Sequence, residues 1–398
     1  MTNKIKQEKF ELPERCESYI DKYFLRSKQV LQAEGINPWV QAQVMIRKGP
    51  GKAYGINEAL AILDKYSDLV EHGGKVYALK EGSEYNPRDT IMLIEAPIQD
   101  IIDLETMYLG VLSAETTKEN DNHKIDLNAA RETMAKVTKA AGNRPVSYFG
   151  ARHWRFDEDA AIARAAYEGG AASASTDIGA ETFGQKGMGT TPHVLENIMA
   201  WKHGYEKAVP EAMLAFDRVI CKDVARIILV DYRNKEITDA LATAKALDNL
   251  YGVRIDTCGE NVGEGAIEQK NYAELEKLIG KKIKIPAEDE KYWFGKGVNV
   301  TGVYAAKKAL EENGYGNLKI WLSSGFASPE KTGAFVRAEE LLEKKLFDGL
   351  GVGQIFKSRA SKMDIVAVGE NPENFIPIAK AGRGYNYNPK LELRLGGK

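Results

Sequence analysis

Arginine, serine, threonine, histidine and aspartate recur in this chain directly after short apolar runs, where they are placed to act on a ligand. Phe149-Gly-Ala-Arg152 follows Val146-Ser-Tyr, and Asp231 closes Arg-Ile-Ile-Leu-Val. Arg254-Ile-Asp256-Thr-Cys-Gly comes next, then Ser323-Ser324-Gly325 after Lys-Ile-Trp-Leu, and finally Gly351-Val352-Gly353. A glycine-punctuated stretch, Gly184–Gly189, leads into a helix starting near Thr190–His193. Polar side chains and glycine loops at the C-terminal ends of strands are how βα enzymes build a site for an anion.

Each cluster has a chemistry and a plainer alternative. Arg152 can clamp a planar carboxylate with two parallel hydrogen bonds, which lysine cannot do; otherwise it pairs with Asp157 or Glu158. Phe149 can offer a ring face to an aromatic ligand. The Ser323–Gly325 and Gly351–Gly353 loops, at consecutive late strands, suit a phosphate held by backbone N–H groups. Asp231 and Asp256 can hold ribose hydroxyls, or Mg²⁺ through water; alone, each reads as a helix cap or a partner of Arg233 or Arg254. His193 follows Gly-Thr-Thr-Pro at a helix start, either exposed for chemistry or a structural hydrogen-bonding residue. Cys258 reads as packing, with no paired base in evidence. Tyr23 and Phe24, within Asp21–Arg26, read from spacing as core residues of a helix.

Elements must hold these groups. Pro13–Glu34 has the periodicity of one helix, stopped by Gly35. Trp39–Arg47, Lys75–Leu79 and Ile91–Ala96 read as strands, with Asn57 capping a helix over Asn57–Tyr66. Helices over Asp100–Thr117 and Leu127–Ala141 bridge to a second half. There, apolar strands at Val146–Phe149, Ala171–Ser175, Ile227–Val230, Val253–Ile255, Lys319–Leu322 and Gly349–Val352 alternate with helices. Strand–helix alternation implies a parallel sheet, and polar residues after every strand favour an irregular barrel over an open doubly wound sheet. Asn261–Val298 reads as a surface insertion carrying one helix, Tyr272–Ile279. Met363–Val368, Phe375–Ile378 and Leu391–Leu395 read as strands returning to the first layer.

Bulk properties exclude several classes. At 398 residues the chain is long enough for two domains, and 43% apolar content with 28% charged residues is ordinary for a globule. A formal charge of −2 provides no broad basic field, so no nucleic-acid partner is expected. Three scattered cysteines make neither a disulfide framework nor a zinc site. The charged opening residues carry no apolar run, and no stretch approaches membrane-spanning length, so a cytoplasmic protein without a membrane partner is expected.

The same residues carry a resemblance. Asp-x-Tyr-Phe-x-Arg (Asp21–Arg26), Phe-Gly-x-Arg (Phe149–Arg152), Gly-Thr-x-Pro-His (Gly189–His193), Arg-x-Asp-Thr (Arg254–Thr257), Ser-x-Gly (Ser323–Gly325), Gly-Val-Gly (Gly351–Gly353) and the strand Asp364–Val368 stand in order along nearly the whole chain. Together they resemble nicotinate phosphoribosyltransferases of the shorter, archaeal-type branch, in the wider family with the nicotinamide and quinolinate enzymes.

The resemblance implies an α/β fold: an irregular, incomplete βα barrel plus an α/β sandwich domain built from both chain ends. Residues 1–142 would form the sandwich and bridging helices, 143–360 the barrel, and 361–398 the returning tail. It implies phosphoribosyl transfer to nicotinate from phosphoribosyl pyrophosphate, with Mg²⁺ and ATP, in a homodimer with shared active sites or a higher oligomer. A partner's Tyr23 and Phe149 would sandwich the pyridine ring, Arg152 would face its carboxylate, and Ser175 would mark the acid rather than the amide substrate. Arg254, Asp231, Ser323, Ser324, Gly325, Gly351, Val352 and Gly353 would surround the phosphoribosyl group. Asp256 would hold ribose or magnesium-pyrophosphate, and His193 would be the residue phosphorylated by ATP, with no resident metal site. Departures are His153 where many relatives carry a second arginine, with Arg155 two residues on, and no cysteine-rich tail. The competing readings are a nicotinamide or quinolinate phosphoribosyltransferase, and a non-catalytic nucleotide-binding barrel.

Overall fold

The structure, a computed structural model, describes residues 10–397; most of the charged opening segment lies outside them. Two six-stranded sheets carry the architecture. The first is antiparallel and runs Ile376–Pro377, Ser361–Gly369, Trp39–Ile46, Thr90–Pro97, Lys75–Ala78, Glu392–Gly396. Both chain ends therefore share one sheet. Its long strands are buried along most of their length (Val40, Ala42, Val44 and Ile46; Ile91, Met92 and Ile94), because helices cover what alternation alone would leave wet.

The second sheet is parallel: Ser173–Ala174, Val146–Tyr148, Gly349–Val352, Lys319–Leu322, Gly252–Ile255, Ile227–Leu229. Read as a ring, it follows chain order and fails to close between Ser173–Ala174 and Ile227–Leu229. This is the irregular, incomplete barrel. The open seam is filled by Met188–Thr191: Met188 N–H donates to Ala174 O at 2.9 Å, the Thr190 hydroxyl donates to Ile227 O, and Leu229 N–H reaches Thr191 Oγ1 at 3.4 Å. The glycine-rich loop thus stands in for missing strand pairing, and it delivers His193 to the start of helix His193–His203 at the strand ends.

Helix Glu105–Asp121 joins the two sheets. It is buried almost all round, as a helix between two layers must be. Gly110 allows this closeness: a Cβ there would lie 2.2 Å from Trp154 O. The helix packs against the 151–153 turn that carries Arg152, and Ser113 Oγ donates to Arg152 O at 3.3 Å.

Three local expectations are corrected. Pro13–Glu34 is not one helix: a 3₁₀ turn, Glu17–Tyr19, is followed by helix Lys22–Ala33. Asp21 breaks it with an extended ψ of 125°, because its backbone bridges Thr176 and Lys22 N–H donates to Ser175 O at 2.8 Å. Helix Ile56–Tyr66 is capped not by Asn57 but by Glu81, whose carboxylate accepts from Gly55 and Asn57 N–H. Helix Val300–Glu312, capped by Asn299, was not expected at all. No helix among the described residues is long and apolar enough to cross a membrane.

Candidate active site

At the strand ends the two sheets face a cleft of about 600 Å³, with an inner recess of about 110 Å³. The recess is lined by Tyr23, Phe24, Phe149, Glu105 and Arg152 at one end and by His193, Arg254, Asp256 and Lys380 at the other. The cleft proper is lined by seven Lys and Arg side chains (Arg47, Lys48, Arg152, Arg254, Lys362, Lys380, Arg383) against two aspartates, Asp256 and Asp364. A nearly neutral protein thus concentrates positive charge in one concavity, which favours a polyanion.

The aromatic end is shaped by glycine. A Cβ on Gly351 would lie 2.9 Å from the Phe149 ring, and one on Gly353 would lie 3.0 Å from Phe149 O. The glycines of this strand end therefore serve the ring's seat. Arg152 donates to Glu105 and lies 3.5 Å from Asp21, with its guanidinium 5.8 Å from the centre of the Tyr23 ring. Tyr23 OH donates to Asp21 at 2.9 Å. Burial pushes the Glu105 carboxyl up to about 7.

The other end of the cleft is built at the strand Lys319–Leu322. Ser323 Oγ donates to Asp256 Oδ1 at 2.7 Å, tying two strand ends together. Ser324 and Gly325 both adopt left-handed backbone, with φ of 71° and 82°. That is strained for serine. Lys331, from the following helix, donates to Ser324 O at 2.9 Å and holds the carbonyl inward. Burial lowers the Lys331 ammonium to about 8.

Between these ends lies a third group. Asp231, fully buried, accepts from Lys380 and faces His193 Nε2 at 2.8 Å, while Lys380 Nζ lies 2.9 Å from the same nitrogen. Burial, reinforced by Lys380, holds His193 below its usual range, so the imidazole is neutral at pH 7.

Most of the sequence candidates meet here: Tyr23, Phe149, Arg152, His193, Arg254, Asp256, Ser323, Ser324, Gly325, Gly351 and Gly353 all line the cleft or its inner recess. Four placements differ from expectation. Asp231 stands behind His193 rather than on the phosphoribosyl surface. Val352 is 1% exposed and packs in the core, since strand alternation turns it away from the mouth. Ser175 does not reach the cleft; it is buried, its carbonyl taken by Lys22. Tyr23 lines the cavity of its own chain. Arg155 is likewise no second carboxylate clamp, being held by Glu58, Glu115 and Asp157. Sequence reasoning missed Glu105, Lys331, Lys362, Lys380, Arg383, Arg47 and Lys48. The only signals were basic residues beside glycine turns, Arg47-Lys-Gly-Pro-Gly and Lys380-Ala-Gly-Arg-Gly.

Comparison with known proteins agrees with this geometry. Residues 21–115 match the family model described as quinolinate phosphoribosyl transferase, N-terminal domain. Nicotinate phosphoribosyltransferase pncB1 of Mycobacterium tuberculosis is 25% identical over 213 residues, which is 53% of this chain and 44%, less than half, of that relative. The structure of nicotinate phosphoribosyltransferase from Porphyromonas gingivalis aligns with a TM-score of 0.61 at 12% identity, covering 95% of this chain and 97% of that one. The enzyme from Vibrio cholerae gives 0.56 at 12%, covering 92% and 88%. At such identities these structures speak for the fold. Fold and cleft define the class: an incomplete βα barrel with a cationic cleft at its strand ends, closed on one side by a sandwich sheet from both chain ends. The chain is similar to quinolinate phosphoribosyl transferases over residues 21–115, and its fold is that of the nicotinate phosphoribosyltransferase structures.

Proposed function

We propose that the protein transfers the phosphoribosyl group of phosphoribosyl pyrophosphate to nicotinate, yielding nicotinate mononucleotide and pyrophosphate, with the step coupled to ATP, in cytoplasmic NAD salvage. One observation carries this reading: a recess with three aromatic rings and a guanidinium opens onto a cationic cleft floored by strand-end serines and glycines.

In this reading the pyridine lies by Phe149 and Tyr23 with its carboxylate toward Arg152. Ser324, Gly325, Gly351 and Gly353 receive the 5′-phosphate, and Arg254 neutralises it. As the C1–oxygen bond to pyrophosphate breaks, positive charge develops on the ribose and negative charge on the leaving group. Fixed anion clamps and a nearby carboxylate, Asp256, stabilise that separation without reorganising. The ring nitrogen then bonds C1; no strong general base is required.

Mg²⁺ would arrive with pyrophosphate and neutralise its charge. Asp256 fits it through water, since one of its oxygens takes Ser323 and the cleft supplies room. His193, Asp231 and Asp256 also place ligand atoms within 4.8 Å of one another, but Lys380 already occupies Asp231, so that trio suits an ion pair better than a resident cation. For ATP coupling, the His193 tautomer whose Nε2–H donates to Asp231 would carry its lone pair on Nδ1, the atom that would attack the γ-phosphorus as ADP leaves. A homodimer closing the cleft belongs to the same proposal.

The test is turnover of labelled nicotinate with phosphoribosyl pyrophosphate and Mg²⁺, with and without ATP. Formation of nicotinate mononucleotide, stimulated by ATP, supports the reading; no product under any condition points to a nucleotide-binding barrel instead.

A further inference from the structure

The aromatic end of the recess contains more negative charge than an anionic ring should meet. Arg152 is the guanidinium that the proposed function turns toward nicotinate, yet it already serves two carboxylates, Glu105 by a hydrogen bond and Asp21 at 3.5 Å. Both acids are nearly inaccessible, at 3% and 1% exposure. Asp21 is well supplied with donors on one oxygen, from Tyr23 OH at 2.9 Å and Thr106 Oγ1 at 3.2 Å. Among the described residues, the Glu105 side chain has Arg152 alone as a hydrogen-bond partner. The two carboxylates thus differ in kind: one is fixed, the other hangs on the very cation a ligand carboxylate would take.

We propose that nicotinate binds with uptake of one proton by Glu105, so that Arg152 exchanges the Glu105 carboxylate for that of the ring. This deepens the proposed function and rests on it. The charge count gives the reason. Of the charged groups acting on Glu105, Arg152 and Lys362 are positive and Asp21 is negative, so with Glu105 ionised the local charges balance; Arg254, by Phe149, is taken by the phosphate in the proposed function. Nicotinate would leave an excess anion in a water-poor recess, where an uncompensated charge is costly. A proton from solvent on Glu105 restores neutrality and turns Glu105 from a competing acceptor into a donor beside the ligand. The groups facing Glu105 are Tyr108 on its own helix, Arg152 on the 151–153 turn, Asp21 and Tyr23 from the N-terminal segment, and Lys362 from the returning strand. Burial brings the Glu105 carboxyl to about 7, within reach of this exchange, and brings Lys362 down to about 8. Nicotinamide, being neutral, requires no such proton, so Glu105 becomes the residue that makes the choice between acid and amide depend on pH.

The experiment is calorimetric titration of the full chain with nicotinate, and separately with nicotinamide, in two buffers of different ionisation enthalpy at pH 7 and 8. Proton uptake with nicotinate should rise toward one at pH 8, and affinity should fall about tenfold per pH unit above the Glu105 range. Nicotinamide should show neither effect. Glu105→Gln, which keeps the shape and a donor, should bind nicotinate with an affinity that changes less than about twofold from pH 7 to 8. Tight nicotinate binding without proton uptake in the native chain would overturn the proposal while leaving the proposed function intact. A slope that persists in Glu105→Gln would assign the proton to Lys362 and overturn it equally. Failure of nicotinate to bind or turn over at any pH would remove both readings together.

Discussion

Asp231 Oδ1 lies 2.8 Å from His193 Nε2, at the junction between the ring recess and the cationic cleft. The pairing fixes the imidazole, and His193 lines both the recess and the cleft. Lys380, reaching in from the C-terminal tail, locks the second oxygen of Asp231. If His193 receives phosphate from ATP, the carboxylate acts by orienting the ring and supporting its developing charge.

His193→Ala should abolish acid-labile phosphate incorporation from labelled ATP while slow nicotinate mononucleotide synthesis continues. Asp231→Asn should cut ATP-dependent labelling about a hundredfold. Because burial and Lys380 lower the His193 pKa, the neutral, nucleophilic ring persists below its ordinary range of about 6.5. Labelling should therefore not decline until the pH falls below that value. Full ATP stimulation in His193→Ala would show the residue to be structural.

Arg152→Ala should raise KM for nicotinate about 10- to 100-fold, the range of a lost hydrogen bond to a charged group. KM for phosphoribosyl pyrophosphate should change little. The variant also strands Glu105 and Asp21 without their cation, so its melting temperature should drop. Arg152→Lys should recover stability better than nicotinate affinity, since an ammonium cannot make the paired contact. Equal losses for both substrates would contradict the placement.

Gly351→Ala should act through Phe149. The added methyl would meet the ring at 2.9 Å and displace it, costing about 1–3 kcal/mol of packing. Steady-state kinetics should show a raised KM for nicotinate larger than any change for the phosphoribosyl donor.

Asp159 gives a stability test away from the cleft. It is buried behind Val146–Tyr148, accepts from Thr176 Oγ1, and burial raises its carboxyl from 3.8 to about 7. The sign follows: its contribution is fully present below about pH 4 and is lost as pH rises through 7. Asp159→Asn should lack that loss, ending more stable than the native chain at pH 8 by on the order of 2 kcal/mol. Thermal melts of both proteins from pH 4.5 to 8 read the difference directly; parallel curves would refute it.

Much of the frame was legible in the sequence because it depends on local patterns. Short apolar runs ending in Arg, Asp, Ser-Ser-Gly or Gly-Val-Gly marked the barrel strands, and Lys319–Leu322 and Gly349–Val352 fall where the spacing puts them. The motifs of the cleft were legible for the same reason. Helix Pro13–Glu34 misled, because its apolar period continues through Asp21, whereas the backbone there is taken by Thr176, some 155 residues away. Asp231 and Val352 are buried rather than on the cleft surface for a related reason. A strand-end position says that a residue is near the mouth, not which way its side chain turns.

What the sequence alone determined, then, is the alternation of strand and helix and the residue types set at the strand mouths. These are local consequences of hydrophobic periodicity and backbone preference. Tertiary structure alone decided that the barrel stays open and is plugged by Met188–Thr191, that Lys380 and Lys362 come from the tail to meet His193 and His153, and that Glu105 pairs with Arg152. Those contacts join residues up to 209 positions apart. Their energies come from burial and charge pairing, which no local window of the chain contains.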